Sequence, residues 1–118
     1  QKLRNVYYHY IDVNNPEIII KQFSKVNKKF DIIIDDSTHE FEHQINIIKN
    51  THKYLKEGGH LVIEDIYRFK KGHEESRYFE KLKNLRKIFS KIVFIDAAHV
   101  NNFTASWKCE KILLLTKK

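Results

Sequence analysis

Two short apolar runs that end abruptly in acid constrain this chain more than anything else in it. FDIIIDDSTHE occupies residues 30–40 and HLVIED residues 60–65. In the first, Ile32, Ile33 and Ile34 run without polar alternation into Asp35 and Asp36. In the second, Leu61, Val62 and Ile63 run into Glu64 and Asp65. A strand without alternation is one buried on both faces, the habit of parallel sheets. Open α/β sheets keep their ligands outside the carboxyl ends of their strands. Two neighbouring strands that end this way bring three or four carboxylates and His39 into one small volume.

The rest of the chain reads as a frame for those ends. Residues 3–12, LRNVYYHYID, are rich in Tyr and Val and predict a strand. Asn15, Pro16 and Glu17 then give a helix start: a cap, a proline at the first helical position and an acid in the first turn. Ile19, Ile20 and Phe23 face inward. After strand 30–34, Ser37 and Glu40 have capping-box spacing, which starts a second helix near Ser37 or Thr38. Its apolar face is Phe41, Ile45, Ile48 and Leu55, and Gly58-Gly59 ends it, one of them left-handed. A strand over 60–66, a basic loop, a helix over 74–89, a strand over 91–96 and a last strand over 111–116 complete the order.

Alternation of this kind implies a parallel sheet with right-handed crossovers. The last connection, residues 97–110, lacks helical periodicity. A return without a helix suits a hairpin, so the final strand is expected to run antiparallel. The fold class is therefore α/β: a Rossmann-like, mostly parallel sheet with an antiparallel last strand and helices on both faces. The 118 residues make one domain, 1–118. One cysteine, Cys109, excludes a disulfide framework and fits a reducing, cytoplasmic setting. No apolar run approaches the roughly 20 residues that span a bilayer, so no membrane partner is expected. No Met occurs, so residue 1 is not a translation start, and the chain is expected to be processed or part of something longer. The net charge of +7 permits an anionic partner. The charge is spread along helix faces without Arg-aromatic interleaving, so no nucleic acid is expected.

Asp36, Glu64 and Asp65 are hard oxygen ligands, and a thiolate-free cluster of them suits Mg, Mn or Ca. Such a metal holds vicinal hydroxyls and lowers the pKa of one. His39, an imidazole three residues past Asp36, is the candidate general base. The bland alternative is that Asp35 and Asp36 cap the second helix and that Glu64 and Asp65 are solvated. HEFEH, residues 39–43, also matches the H-E-x-x-H zinc pattern. That chemistry needs both histidines on one face in the middle of a helix, and His39 falls at the helix start. His99 lies in a loop able to reach the crevice, while Trp107 and Cys109 read as packing residues.

Taken together, FDIIIDDSTHEFEHQ and LKEGGHLVIEDI resemble class I S-adenosylmethionine-dependent methyltransferases. The likeness is to the metal-dependent sugar O-methyltransferase type (macrocin and mycinose O-methyltransferases and cephalosporin-hydroxylase-like proteins). The family's D-D-G-S-H segment is matched by Asp35-Asp36-Ser37-Thr38-His39, with Ser37 in place of Gly, and its I-E-D segment by Ile63-Glu64-Asp65. The likeness is good over residues 6–66 and holds only by pattern beyond. It implies Mg or another divalent cation on Asp36, Glu64 and Asp65, with His39 as the catalytic base. It places Asp12 and Asp35 on the cofactor side, and it implies a hydroxylated, sugar-like small molecule as acceptor. The family's glycine-rich cofactor turn has no counterpart, since no G-x-G occurs. The chain is then the C-terminal portion of such an enzyme, incomplete by itself, with its first strand pairing directly on strand 30–34 or displaced into a neighbouring molecule. A homo-oligomer is possible on this reading. The competing reading is a non-catalytic methyltransferase-like module used for assembly or binding.

Overall fold

A computed structural model describes residues 5–96 and 110–118. The elements are α1 (Pro16–Val26), β1 (Phe30–Asp35), α2 (Phe41–Thr51), a 3-10 turn (His52–Tyr54) and β2 (Leu55–Tyr67). These are followed by α3 (Glu75–Lys81), a second 3-10 turn (Lys83–Leu85), β3 (Phe89–Asp96) and β4 (Glu110–Lys117). The sheet order is β1-β2-β4-β3. β1 and β2 are parallel, and β4 slots antiparallel between β2 and β3. Three strands thus point one way and the last runs against them, as its helix-free approach predicts.

The helices follow from handedness. From β1 to β2, and from β2 across to β3, the chain steps in the same direction across the sheet. Right-handed crossovers taken in one direction put their helices on one face. α2 and α3 accordingly meet there: the Phe41 and Tyr78 rings lie 4.8 Å apart edge-on, and Tyr78 packs on Phe94 of β3 at 5.6 Å. Under them lie Ile33, Leu61, Ile63, Leu113 and Leu115, the buried centre of the core. α1 joins this layer through Ile19, and Asn46 of α2 donates to the Val13 carbonyl at 3.1 Å. The opposite face carries Ile34, Val62, Leu114 and Val93 as one cross-strand row. Ile32 and Ile34 are 56% and 60% exposed there, so among the described residues this face is not covered. No helix among them is long and apolar enough to cross a membrane.

Some expected boundaries move. Residues 6–12 join no ladder, and Tyr7, Tyr8 and Tyr10 are 72–83% exposed. Strand propensity is realised only beside a partner strand, and among the described residues β1 takes none on its outer edge. α1 starts as predicted: the Asn15 side chain accepts from the Glu17 and Ile18 amides. α2 starts at Phe41 rather than near Ser37. The Ser37 hydroxyl is spent on Asp35, and His39 stands at φ +64, outside helical geometry. Gly58-Gly59 does not end α2, which has already closed at Thr51, but lies inside a long β2. There Phe30 pairs Leu55 while Ile32 pairs His60, so four residues of β2 bulge out, with Gly58 left-handed at φ +77. The third helix stops early, since Leu82 leaves helical geometry at φ −100, ψ 5. The segment 97–109, with His99, Trp107 and Cys109, lies outside the described residues.

Candidate active site

The parallel register sets the two strand ends side by side, Asp35 opposite Ile63. Beyond that pair the chains diverge from regular geometry. β2 reaches Ile63 opposite Leu113 of β4 and Ile66 opposite Lys111, so three steps on one strand face two on the other. The extra residue is a β-bulge, a device that re-aims a side chain. Asp65, inside it, is left-handed at φ +58. His39, on the loop after β1, is left-handed as well. Such backbone is uncommon outside glycine, though Asp and His tolerate it better than most residues, and it collects at functional sites.

These two strained residues meet. His39 Nε2 lies 3.3 Å from Asp65 Oδ2. Asp36 completes the group: one ligand atom from each of Asp36, His39 and Asp65 lies within 4.8 Å of the others. The His39 Nδ1 is buried and has no hydrogen-bond partner, so Nε2 is the ring nitrogen that a ligand can reach. The His39 ring stands edge-on to Tyr67, which stacks on His73 at 5.6 Å. His73 Nδ1 accepts from the Tyr67 amide at 2.9 Å, and burial, aided by the Lys70 charge, holds its ring below the usual histidine range.

The carboxylates crowd one another. Burial pushes the Asp65 carboxyl up; the His39 ring opposes this, and Asp36 and Glu110 add to the rise. Burial raises Glu64 too, with the charges of Asp36, Asp65 and Asp35 adding to it. Tyr67 rises through burial and the same acids. A site that holds several carboxyls above their ordinary range is one in which a bound cation relieves repulsion.

Each predicted residue now has a place. Asp36, His39 and Asp65 converge. Glu64 lies within the same field but outside that group of three. Asp35 is buried and accepts from the Ser37 hydroxyl at 2.5 Å, so its carboxylate braces the turn that carries Asp36. Asp12 accepts from the Asn14 amide at 3.0 Å in the turn before α1. The zinc pattern dissolves: His39 precedes the helix, and His43 Nδ1 lies 2.7 Å from the Thr38 hydroxyl. Beside the cluster, a groove of about 460 Å³ is lined by Glu40, His43, Lys70, His73 and Arg77. Lys70 faces Glu40 at 3.9 Å and Arg77 faces Glu42 at 4.0 Å, and Lys71 and Phe41 also line the groove, so it mixes paired charges with apolar surface.

Sequence reasoning missed Gln44. It is fully buried, accepts from the Tyr78 hydroxyl and donates to the Glu64 carbonyl. The signal was available: position 44 sits three residues after Phe41, on the apolar stripe of α2, where a glutamine is out of place.

The mixed sheet, with its antiparallel strand inserted between strands that run the other way, is a Rossmann-like sheet of the methyltransferase type. Among solved structures, the chain is similar to the crystal structure of M1.HpyAVI, with a TM-score of 0.54 and 24% identity over 93% of this chain. The M1.HpyAVI–SAM complex gives a TM-score of 0.49 at 22% identity over 92% of the chain, and the fold assignment rests on the former. The chain spans only 54% and 52% of those two chains. No family model matches it, and no curated protein does.

Proposed function

We propose that this chain is the acceptor-side portion of an S-adenosylmethionine-dependent O-methyltransferase that acts on a hydroxyl of a sugar-like small molecule. The observation that carries the reading is the convergence of Asp36, His39 and Asp65 at the ends of β1 and β2, two of them in strained backbone. Unactivated hydroxyls are poor nucleophiles and need a base. His39 Nε2 faces the cluster, 3.3 Å from Asp65 Oδ2, and is the proposed base: an acceptor hydroxyl seated between the two would pass its proton to Nε2, and the nearby carboxylate would favour the imidazolium. Asp36 and Asp65 offer oxygens to a divalent cation, with Glu64 close enough to add its charge. Such an ion, when bound, supplies charge stabilisation for the developing alkoxide. The groove beside the cluster offers paired charges and His43 to the hydroxyls of such an acceptor and Phe41 to its apolar face.

The cofactor's glycine-rich turn is not in these residues, because no G-x-G occurs. Methyl transfer therefore belongs to a unit in which this chain is joined to a part carrying that turn. The sheet face and the β1 edge that nothing among the described residues covers favour a second reading, a non-catalytic module whose sheet serves assembly. Titration of Mn²⁺ into the chain separates the two. Binding that is lost in both Asp36→Asn and Asp65→Asn supports the site; no binding at millimolar Mn²⁺ removes the metal from the proposal. With metal bound, His39→Ala should keep the ion and lose turnover in the completed enzyme. Methyl transfer to an oligonucleotide in place of hydroxylated sugars would overturn the acceptor class.

A further inference from the structure

The bulge that aims Asp65 has an unusual anchorage. Glu64 and Asp65 have no partner in either ladder: pairing with β1 ends at Ile63, and pairing with β4 skips from Ile63 to Ile66. The Glu64 carbonyl is met instead by Gln44 Nε2 of α2, at 3.3 Å. A carbonyl only accepts, so the amide must present its NH₂ to Glu64 and its oxygen to Tyr78. The Tyr78 hydroxyl donates to that oxygen at 2.5 Å. Burial raises the Tyr78 phenol, which keeps it a donor. Gln44 and Tyr78 are both fully buried, and Tyr78 is wedged between Phe41 and Phe94. Three elements thus form one line: α3 holds Tyr78, Tyr78 orients the Gln44 amide, and Gln44 holds the bulge.

We propose that Gln44 and Tyr78 are positioning residues of the candidate site, which pin the Glu64–Asp65 bulge in the conformation that delivers the Asp65 carboxylate to His39 and Asp36. The inference rests on the reading of that cluster as a metal-binding active site. Aspartate tolerates left-handed backbone better than most residues but still prefers extended geometry in a strand, and the Gln44 tie to the Glu64 carbonyl favours the bulged form. Without the Gln44 amide, the Glu64 carbonyl turns to find another donor, and Asp65 relaxes toward extended geometry. Its carboxylate then leaves the cluster. Neither Gln44 nor Tyr78 touches the reacting groups; both act through the backbone of β2.

The test is the Mn²⁺ affinity of the chain, read by electron paramagnetic resonance on variants whose folding is checked by circular dichroism. Gln44→Met should weaken binding about tenfold or more, the range seen when an outer-shell partner is removed. Tyr78→Phe keeps the ring packing and should weaken binding severalfold. The double variant should bind no worse than Gln44→Met alone, because the two act in series. Thr51→Val is the control: Thr51 is also buried in α2, but its hydroxyl bonds Ile47, so its loss should cost stability and leave affinity unchanged. Gln44→Met binding within twofold of the parent overturns the proposal. If the parent binds no Mn²⁺, the metal reading fails instead, and a crystal structure of Gln44→Met decides the positioning claim. Asp65 should then have left the left-handed region; Asp65 still left-handed and still against His39 sinks it.

Discussion

Replacing either glycine of Gly58-Gly59 by alanine gives opposite expectations from conformation and from space, and the structure decides between them. Gly58 is the left-handed one, at φ +77, yet a methyl group there meets nothing within 4 Å. Gly59 has no such backbone constraint, but its methyl would lie 2.9 Å from the Lys56 carbonyl, 3.0 Å from that of Asp31 and 3.2 Å from that of Phe30. All three are backbone atoms, and two belong to β1, so relief requires the strands to separate. Overpacking of this kind costs about 1–3 kcal/mol, and three backbone contacts argue for the upper end. Left-handed alanine at Gly58 costs about 1 kcal/mol. For a chain of this size 1 kcal/mol moves Tm by about 4 °C. Thermal melts followed by circular dichroism should therefore show Gly59→Ala about 10 °C below the parent and Gly58→Ala about 4 °C below. Gly59→Ala should also weaken Mn²⁺ binding, since the stretch from Ile32–His60 to Asp35–Ile63 sets Asp36 against Asp65. A Gly58→Ala variant at least as unstable as Gly59→Ala would refute the reasoning, because conformation and not strand approach would then dominate.

Three further expectations follow from the same geometry. The Asp65 carboxyl is raised in the fold, so ionising it costs stability, a cost present above its folded pKa and relieved as pH falls through it. Asp65→Asn should hence melt higher than the parent at pH 7, with the gain gone below the ordinary aspartate value of 3.8; a gain that grows toward acid pH contradicts the assigned shift. Ile33 is 9% exposed and Ile34 60%, so Ile33→Ala should cost about 2–4 kcal/mol in urea unfolding and Ile34→Ala about 0.5 kcal/mol. Equal costs would show that the second sheet face is packed. Asn15→Ala removes the acceptor for the Glu17 and Ile18 amides and should cost about 1 kcal/mol, whereas a loss within error would mean that α1 is held by its packing alone.

What the sequence shows of this fold is what periodicity and local chemistry encode. β1, β2, β3 and β4 are legible as apolar runs, α1 from Asn15-Pro16-Glu17, and the antiparallel last strand from its helix-free approach. Residues 6–12 mislead because tyrosine and valine report fitness for a sheet and not the presence of a neighbour. The start of α2 misleads because Ser37 has two possible partners and takes the Asp35 carboxylate. The site is legible in its members and not in its geometry. Asp36, Asp65 and His39 can be picked from motif and strand end, but the grouping that leaves Glu64 out depends on a bulge. A bulge is a mismatch between two strands distant in sequence, and neither strand alone records it.

The bulge also explains why adjacent acids receive different roles. Along a regular strand, Glu64 and Asp65 would point to opposite faces, one toward the helices and one toward the uncovered side. The inserted residue breaks that alternation at the carboxyl end of β2, where β1 has already stopped pairing and can no longer enforce it. Asp65 is turned toward the loop after β1, and left-handed backbone is the cost of the turn. On the β1 side, His39 adopts the same kind of backbone to meet it. The fold bears strain and like charge at one point, and it ties that point to α2 and α3 through a buried amide and phenol. On the proposed reading, a divalent cation would answer both the charge and the donor atoms present.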